Sequence, residues 1–189
     1  GSWVGGDMDG NPNVDAVTIR KSLQYHRRQI IKKYLPEMGS LSRFLSQSLT
    51  EVKVSQPVLE QLQNYRELLP DEARAIGKRI HNMPYRCLLK LMMARMQRVL
   101  DDLPGAYRNA GEFRDDLELI RQSLQDNKGQ HAGVFALNRL QLRERTFGFH
   151  LATLDVRQDS QVHREVIARI LDDKNWNDLE AEKRADRLT

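Results

Sequence analysis

The residue pattern predicts a mainly α, multi-helix segment with one buried β-strand at about 147–157. Over most of the chain apolar residues recur at gaps of three and four, which gathers them on one face of successive helices. One stretch breaks that rule. Phe147-Gly-Phe-His-Leu-Ala-Thr-Leu-Asp-Val-Arg157 is rich in aromatic and β-branched residues and almost free of charge until its end, as a strand buried on both faces would be. With 40% hydrophobic and 30% charged residues in 189, the composition suits a folded, surface-rich chain, and the length favours one unit over two.

The elements follow in order. Residues 1–14 form a loop, because Gly1, Gly5, Gly6, Gly10 and Pro12 alternate with Asp7, Asp9, Asn11 and Asn13, all turn formers. Asp15 is placed to cap a helix whose apolar stripe is Ile19, Leu23, Ile30, Tyr34, Met38, Leu41, Leu45 and Leu49. Pro36 is expected to kink or interrupt it. Further helices are predicted from Pro57 to Leu69, from Pro84 to about Leu103, over about 110–127 and over about 131–144. Proline suits a first helical turn. Met83, Met92, Met93 and Met96 sit at helical spacing and read as core filler. If residues 147–157 alternate, Phe149, Leu151, Thr153, Asp155 and Arg157 share a face. Asp159 or Ser160 then caps a helix through Val162, Val166, Ile167 and Ile170. Residues 172–189 read as a surface loop and a short charged helix. The domain layout is thus a site loop at 1–14, helices over 15–145, a strand and second loop over 146–160, and helices over 161–189.

Composition also excludes functions. Thirty basic against 26 acidic residues leave a net charge of +4, too small to argue for nucleic acid, and the pairs Arg27-Arg28 and Lys32-Lys33 suit a solvated helix face. Cys87 is the one cysteine, so neither an internal disulfide nor a cysteine-based zinc site can form; in its apolar surroundings it reads as a small core residue. Charges interrupt every apolar run, so no membrane span is expected. No leader is visible. Ser2-Trp3 runs directly into the loop motif, so the chain is expected to be a piece of a larger protein.

Chemistry can sit in two places. In the opening loop, Asp7, Asp9 and Asn11 have the alternating spacing of a calcium loop, but the required glycine falls on Pro12 and the required glutamate on Thr18. The glycines do not match a dinucleotide or phosphate loop. The loop is either a tight turn into the helix or a rigid lining that lets backbone approach a ligand. The second place is Asp155-Val-Arg-Gln-Asp-Ser160. Arg157 at the end of an apolar stretch needs a partner. It either pairs with Asp155 or grips an anion, for which guanidinium geometry is suited. His26, His81, His131, His150 and His163 show no metal spacing, and no metal ligands or certain catalytic residues stand out.

Both places resemble one family. Ser2-Trp-Val-Gly-Gly-Asp-Met-Asp-Gly-Asn-Pro-Asn-Val14 is similar to the Ser-Trp-Met-Gly-Gly-Asp-Arg-Asp-Gly-Asn-Pro-Asn-Val segment of the bacterial-type phosphoenolpyruvate carboxylases. Phe147-Gly and Leu154-Asp-Val-Arg-Gln-Asp-Ser160, followed by His163, resemble that family's Phe-Gly and Leu-Asp-Ile-Arg-Gln-Glu-Ser, then His. Pro84-Tyr-Arg86 and Ser123-Leu124 fall between them in the right order, so the resemblance spans essentially the whole chain.

It implies an internal segment of a large cytoplasmic enzyme, a β-barrel surrounded by helices, that adds bicarbonate to phosphoenolpyruvate to give oxaloacetate and phosphate. The implied partners are these two substrates and further copies of the protein in a homotetramer, with no nucleic acid and no membrane. The implied cofactor is Mg2+ or Mn2+, held by residues outside this segment. By position Arg157 matches the arginine on the substrate phosphate and Trp3 the tryptophan of a hydrophobic pocket. Gly6, Asp7, Asp9, Gly10, Asn11 and Gln158 belong to the loops beside them. Met8 departs from the family's arginine. The family's Thr-Ala-His-Pro-Thr and Gly-Tyr-Ser-Asp-Ser-x-Lys motifs are missing, so the isolated chain is expected to be inactive. A non-catalytic helical interaction module is the alternative.

Overall fold

A computed structural model describes residues 2–129 and 131–188. Among them lie eight α-helices: α1 Ala16–Phe44, α2 Gln56–Leu68, α3 Pro70–Ala75, α4 Pro84–Asp101, α5 Ala110–Asp126, α6 Val134–Phe147, α7 Ser160–Leu171 and α8 Ala181–Asp186. The chain divides into two compact units. One is Tyr25–Leu151; the other joins the two ends of the chain, up to Gln24 and from Ala152 onward.

The first unit holds the core. The stripe of α1 buries Ile30, Tyr34, Met38 and Leu41, α4 buries Leu88, Met92 and Met96, and α5 buries Phe113, Leu117, Ile120 and Leu124. Cys87 is buried too. Its thiol donates to Ile80 O at 2.9 Å, and burial pushes its pKa up, so it acts as core rather than as a nucleophile. Met92 and Met96 are core filler as expected. The rings of Tyr34, Tyr107, Phe113 and Phe149 pack together, with Tyr34 and Phe113 centroids 5.6 Å apart.

Helix ends follow local chemistry. Asn109 Oδ1 accepts from Glu112 N at 3.1 Å at the start of α5. Pro57 and Pro84 lie in the first turns of α2 and α4. Pro36 does not interrupt α1. Both Pro36 and Lys32, whose carbonyl loses its helical donor, lie on the exposed side, where water replaces the bond. α6 starts later than expected, because Gly133 before it takes φ +86°, a left-handed conformation that favours glycine. The short α3 has no counterpart in the sequence reading.

The expected strand at 147–157 does not form among the described residues. Phe147 is the last residue of α6, Gly148 takes φ +48° and Leu151 φ +64°. The chain therefore bends twice before it extends, and side-chain alternation is lost. Phe149 is buried in the aromatic cluster, whereas Val156 is 55% exposed. From Leu154 onward the chain makes isolated parallel bridges, Ser2 to Leu154 and Asp7 to Arg157. Trp176 is a second difference. It is buried at 1% exposure in a stretch that reads as a surface loop.

Candidate anion site

The site lies in the unit formed by the chain ends. Backbone hydrogen bonds hold the opening loop beside residues 153–157. Ser2 N donates to Thr153 O at 2.8 Å, Asp155 N to Ser2 O at 2.9 Å, Arg157 N to Gly6 O at 3.0 Å and Met8 N to Arg157 O at 2.9 Å. The two segments are out of step. Ser2 to Asp7 is five residues, Leu154 to Arg157 only three. The loop absorbs the excess in a turn closed by Gly6 N donating to Trp3 O at 2.9 Å, with Gly5 at φ +81°. That bulge lifts Trp3 away from the paired backbone, and it is 58% exposed.

Gly6 is required by close approach. A Cβ there would lie 2.6 Å from the carbonyl oxygen of Asp155, and a backbone atom cannot move aside cheaply. Gly6→Ala is expected to cost about 1–3 kcal/mol of local stability. The readout is faster hydrogen exchange at the Met8 and Arg157 amides; unchanged exchange at both would refute it.

The Arg157 side chain projects over this turn. Its Cζ lies 5.3 Å from the centre of the Trp3 ring, within cation–π range. Nη2 is 3.4 Å from Asp9 Oδ2 and Nη1 is 3.9 Å from Asp7 Oδ2, with the guanidinium side chain 49% exposed. Its ion-pair partners thus include two carboxylates of the opening loop, a long-range pairing that the sequence reading, weighing Asp155, did not anticipate. One guanidinium against two carboxylates leaves a formal charge of −1 (+1 − 2). The contacts are long and open to solvent, so they orient the guanidinium without saturating its donors.

The remaining loop residues serve the scaffold. Asn11 Oδ1 accepts from Asn13 N at 3.0 Å, Gly10 takes φ +67°, and Asp15 Oδ1 caps α1 through Thr18 N at 2.7 Å. Hydrogen bonds from the Thr18 backbone and hydroxyl hold the Asp15 carboxyl below its ordinary pKa. Gln158 Nε2 donates to Met8 Sδ at 3.8 Å, so the residue standing at the family's arginine position meets a polar neighbour through sulfur. Asp159 Oδ1 caps α7 through Gln161 N at 2.6 Å. His163, exposed in the first turn of α7, donates its backbone N–H to Asp159 O at 3.3 Å.

The structure therefore gathers Trp3, Gly6, Asp7, Asp9, Gln158 and Arg157, and leaves Gly10 and Asn11 as turn formers. These residues do not fit a divalent metal. Among the described residues no group of three or more His, Cys, Asp or Glu is placed to hold one, and Asp7 and Asp9 face a cation already. The cluster is suited to presenting one guanidinium and one indole to an anion with a small apolar part.

The family model for phosphoenolpyruvate carboxylase matches residues 1–189. The chain is 53% identical over 185 residues to the phosphoenolpyruvate carboxylase of Xanthomonas oryzae pv. oryzae (strain MAFF 311018), covering 98% of this chain and 20% of that protein. It is 34% identical over 187 residues to that of Synechocystis sp. (strain ATCC 27184 / PCC 6803 / Kazusa), covering 90% of this chain and 18% of the relative. The chain thus spans about a fifth of the length of the curated relatives it matches. With a match along its whole length and more than half of its residues shared with such a relative, this chain belongs to the phosphoenolpyruvate carboxylase family.

Proposed function

We propose that this chain is the part of a phosphoenolpyruvate carboxylase that presents Arg157 to the substrate phosphate and Trp3 to the substrate methylene. The full-length protein would join bicarbonate to phosphoenolpyruvate, releasing oxaloacetate and phosphate, in the cytoplasm and as a homotetramer. The observation that carries this reading is the half-exposed guanidinium held over the Trp3 ring, with free donor capacity for an incoming anion. The guanidinium binds and orients the phosphate and neutralises charge on the group being transferred. The indole adds an apolar wall and excludes water on one side.

The same geometry argues for a divided site. The local formal charge of −1 opposes a multiply charged anion, so further cationic groups must come from elsewhere in the protein. A metal ion would likewise be held by other residues. The isolated chain is accordingly proposed to be inactive, and the barrel implied by the resemblance would supply the missing groups.

Trp3→Ala in the full-length protein tests this. Losing a cation–π contact of about 0.5–2 kcal/mol and an apolar wall should raise KM for phosphoenolpyruvate by roughly three- to thirtyfold. An unchanged KM would remove Trp3 from the site.

A further inference from the structure

We propose that the apolar face of α7 is a docking surface, covered in the full-length protein by an apolar element of the same polypeptide outside residues 1–189. α7 is amphipathic. Val162, Val166 and Ile170 recur at intervals of four and form a stripe along one side, with Ile167 and Leu171 beside it. A stripe of that kind belongs against a core. Here it is bare. No residue of α7 is buried, and Ile170 is 76% exposed.

The rest of its unit covers α7 only in part, through the single turn Trp176–Asp178 that packs against it. Among the described residues up to Gln24 and from Ala152 onward, only Gly6 and Trp176 are buried. A unit whose one large buried side chain is Trp176 lacks a core of its own, and an exposed contiguous apolar stripe on such a unit marks an interface. Trp176 carries the same message. Its indole Nε1 is buried with no hydrogen-bond partner, although a buried indole N–H ordinarily finds an acceptor.

The size of the family decides the occupant. The chain spans 20% of a relative it matches over 98% of its own length, which leaves 80% of such a polypeptide to pack against it. A partner in the same polypeptide is present at high effective concentration, whereas a second copy would have to find this face by diffusion. Asp159, the cap of α7, comes two residues after Arg157, so docking this helix would also fix the strand-like segment that carries the guanidinium. The inference rests on family membership and not on the substrate assignment.

The test is a photo-crosslinking amino acid at Val166 in the full-length protein, prepared as an equal mixture of isotopically heavy and light copies. The expected result is crosslinked peptides that join α7 to sequence outside residues 1–189, with both halves always of one isotope. Peptides of mixed isotope would assign the face to a second copy and overturn the proposal. So would the loss of all protein crosslinks through reaction with water, or crosslinks confined to residues 1–189. The same replacement at Ile170, on the same stripe, repeats the measurement should the first position disturb folding. Each outcome is read by mass and does not depend on turnover, so the proposal can fail while the substrate assignment stands, and the reverse.

Discussion

Arg157→Ala in the full-length protein is expected to lower kcat/KM for phosphoenolpyruvate by roughly a hundred- to a thousandfold, the usual loss when one charge-stabilising donor is removed. Two effects add. The substrate phosphate loses a charge-assisted, two-pronged partner. The local formal charge falls from −1 to −2, because Asp7 and Asp9 remain, and the cluster then repels the substrate it is proposed to hold. Arg157→Lys should recover only part of the loss, since the charge returns without the planar fork. Folding should hardly change. The guanidinium is 49% exposed and its contacts to Asp9 and Asp7 are 3.4 and 3.9 Å, so their contribution is less than about 1 kcal/mol. A variant with normal melting and normal kinetics would end the assignment of this cluster to the substrate.

Asp116→Ala should have the largest effect on stability, about 3–5 kcal/mol, out of a total of about 5–15 kcal/mol for a domain. Asp116 is 2% exposed on α5. It accepts from Gln61 Nε2 at 2.8 Å, Tyr65 Oη at 2.6 Å and Tyr107 Oη at 2.5 Å. Arg95 completes the network. It donates to Tyr65 Oη at 2.5 Å, to Gly105 O at 3.1 Å, to Ala106 O at 3.2 Å and to Glu112 at 2.8 Å, and its Cζ lies 4.0 Å from the Tyr107 ring centre. The network thus ties α2, α4, α5 and the 102–109 turn together. Alanine would orphan two buried hydroxyl donors and leave Glu112 as the one carboxylate paired with Arg95 among the described residues. The check is a lowered denaturation midpoint at unchanged slope; a midpoint equal to that of the unaltered protein would show that the network contributes nothing.

A pH dependence accompanies this prediction. Burial raises the pKa of Asp116 above its ordinary value, although hydrogen bonds from Tyr107, Tyr65 and Gln61 and the charge of Arg95 pull it down. The folded state therefore holds this proton more tightly than the unfolded chain. The stability linked to that proton is fully present below the ordinary value of 3.8 and is lost as pH rises through the higher folded value. The difference in stability between the unaltered protein and Asp116→Ala should accordingly shrink as pH rises through that window.

The Asp116 network was legible in part. On α5 the apolar stripe Phe113, Leu117, Ile120 and Leu124 includes Asp116 at three after Phe113 and four before Ile120. On α4 Arg95 likewise falls three after Met92 and four before Val99. A charge inside a stripe announces a buried partner, but periodicity alone names neither Tyr65 nor Tyr107, which come from other elements. The candidate site divides in the same way. The glycine-rich loop and Arg157 stood out by composition, while the pairing of Arg157 with Asp7 and Asp9 spans some 150 positions of sequence and needed the backbone bridges that place the two segments side by side.

The longer helices, the caps Asp15 and Asp159 and much of the core came from local information, because a helix closes its hydrogen bonds within a few residues and its buried face repeats at a fixed interval, although Leu23 and Leu49 of the expected α1 stripe are exposed. The buried strand inferred at 147–157 failed for the complementary reason. Strand pairing is non-local, and apolar content cannot tell a strand from a helix end followed by a turn. Left-handed backbone at Gly148 and Leu151 redirected that stretch, and Trp176, flanked by polar residues, was buried by neighbours that its own surroundings in sequence do not reveal. Contacts between residues far apart along the chain depend on how the elements are brought together, and that was decided by the packing.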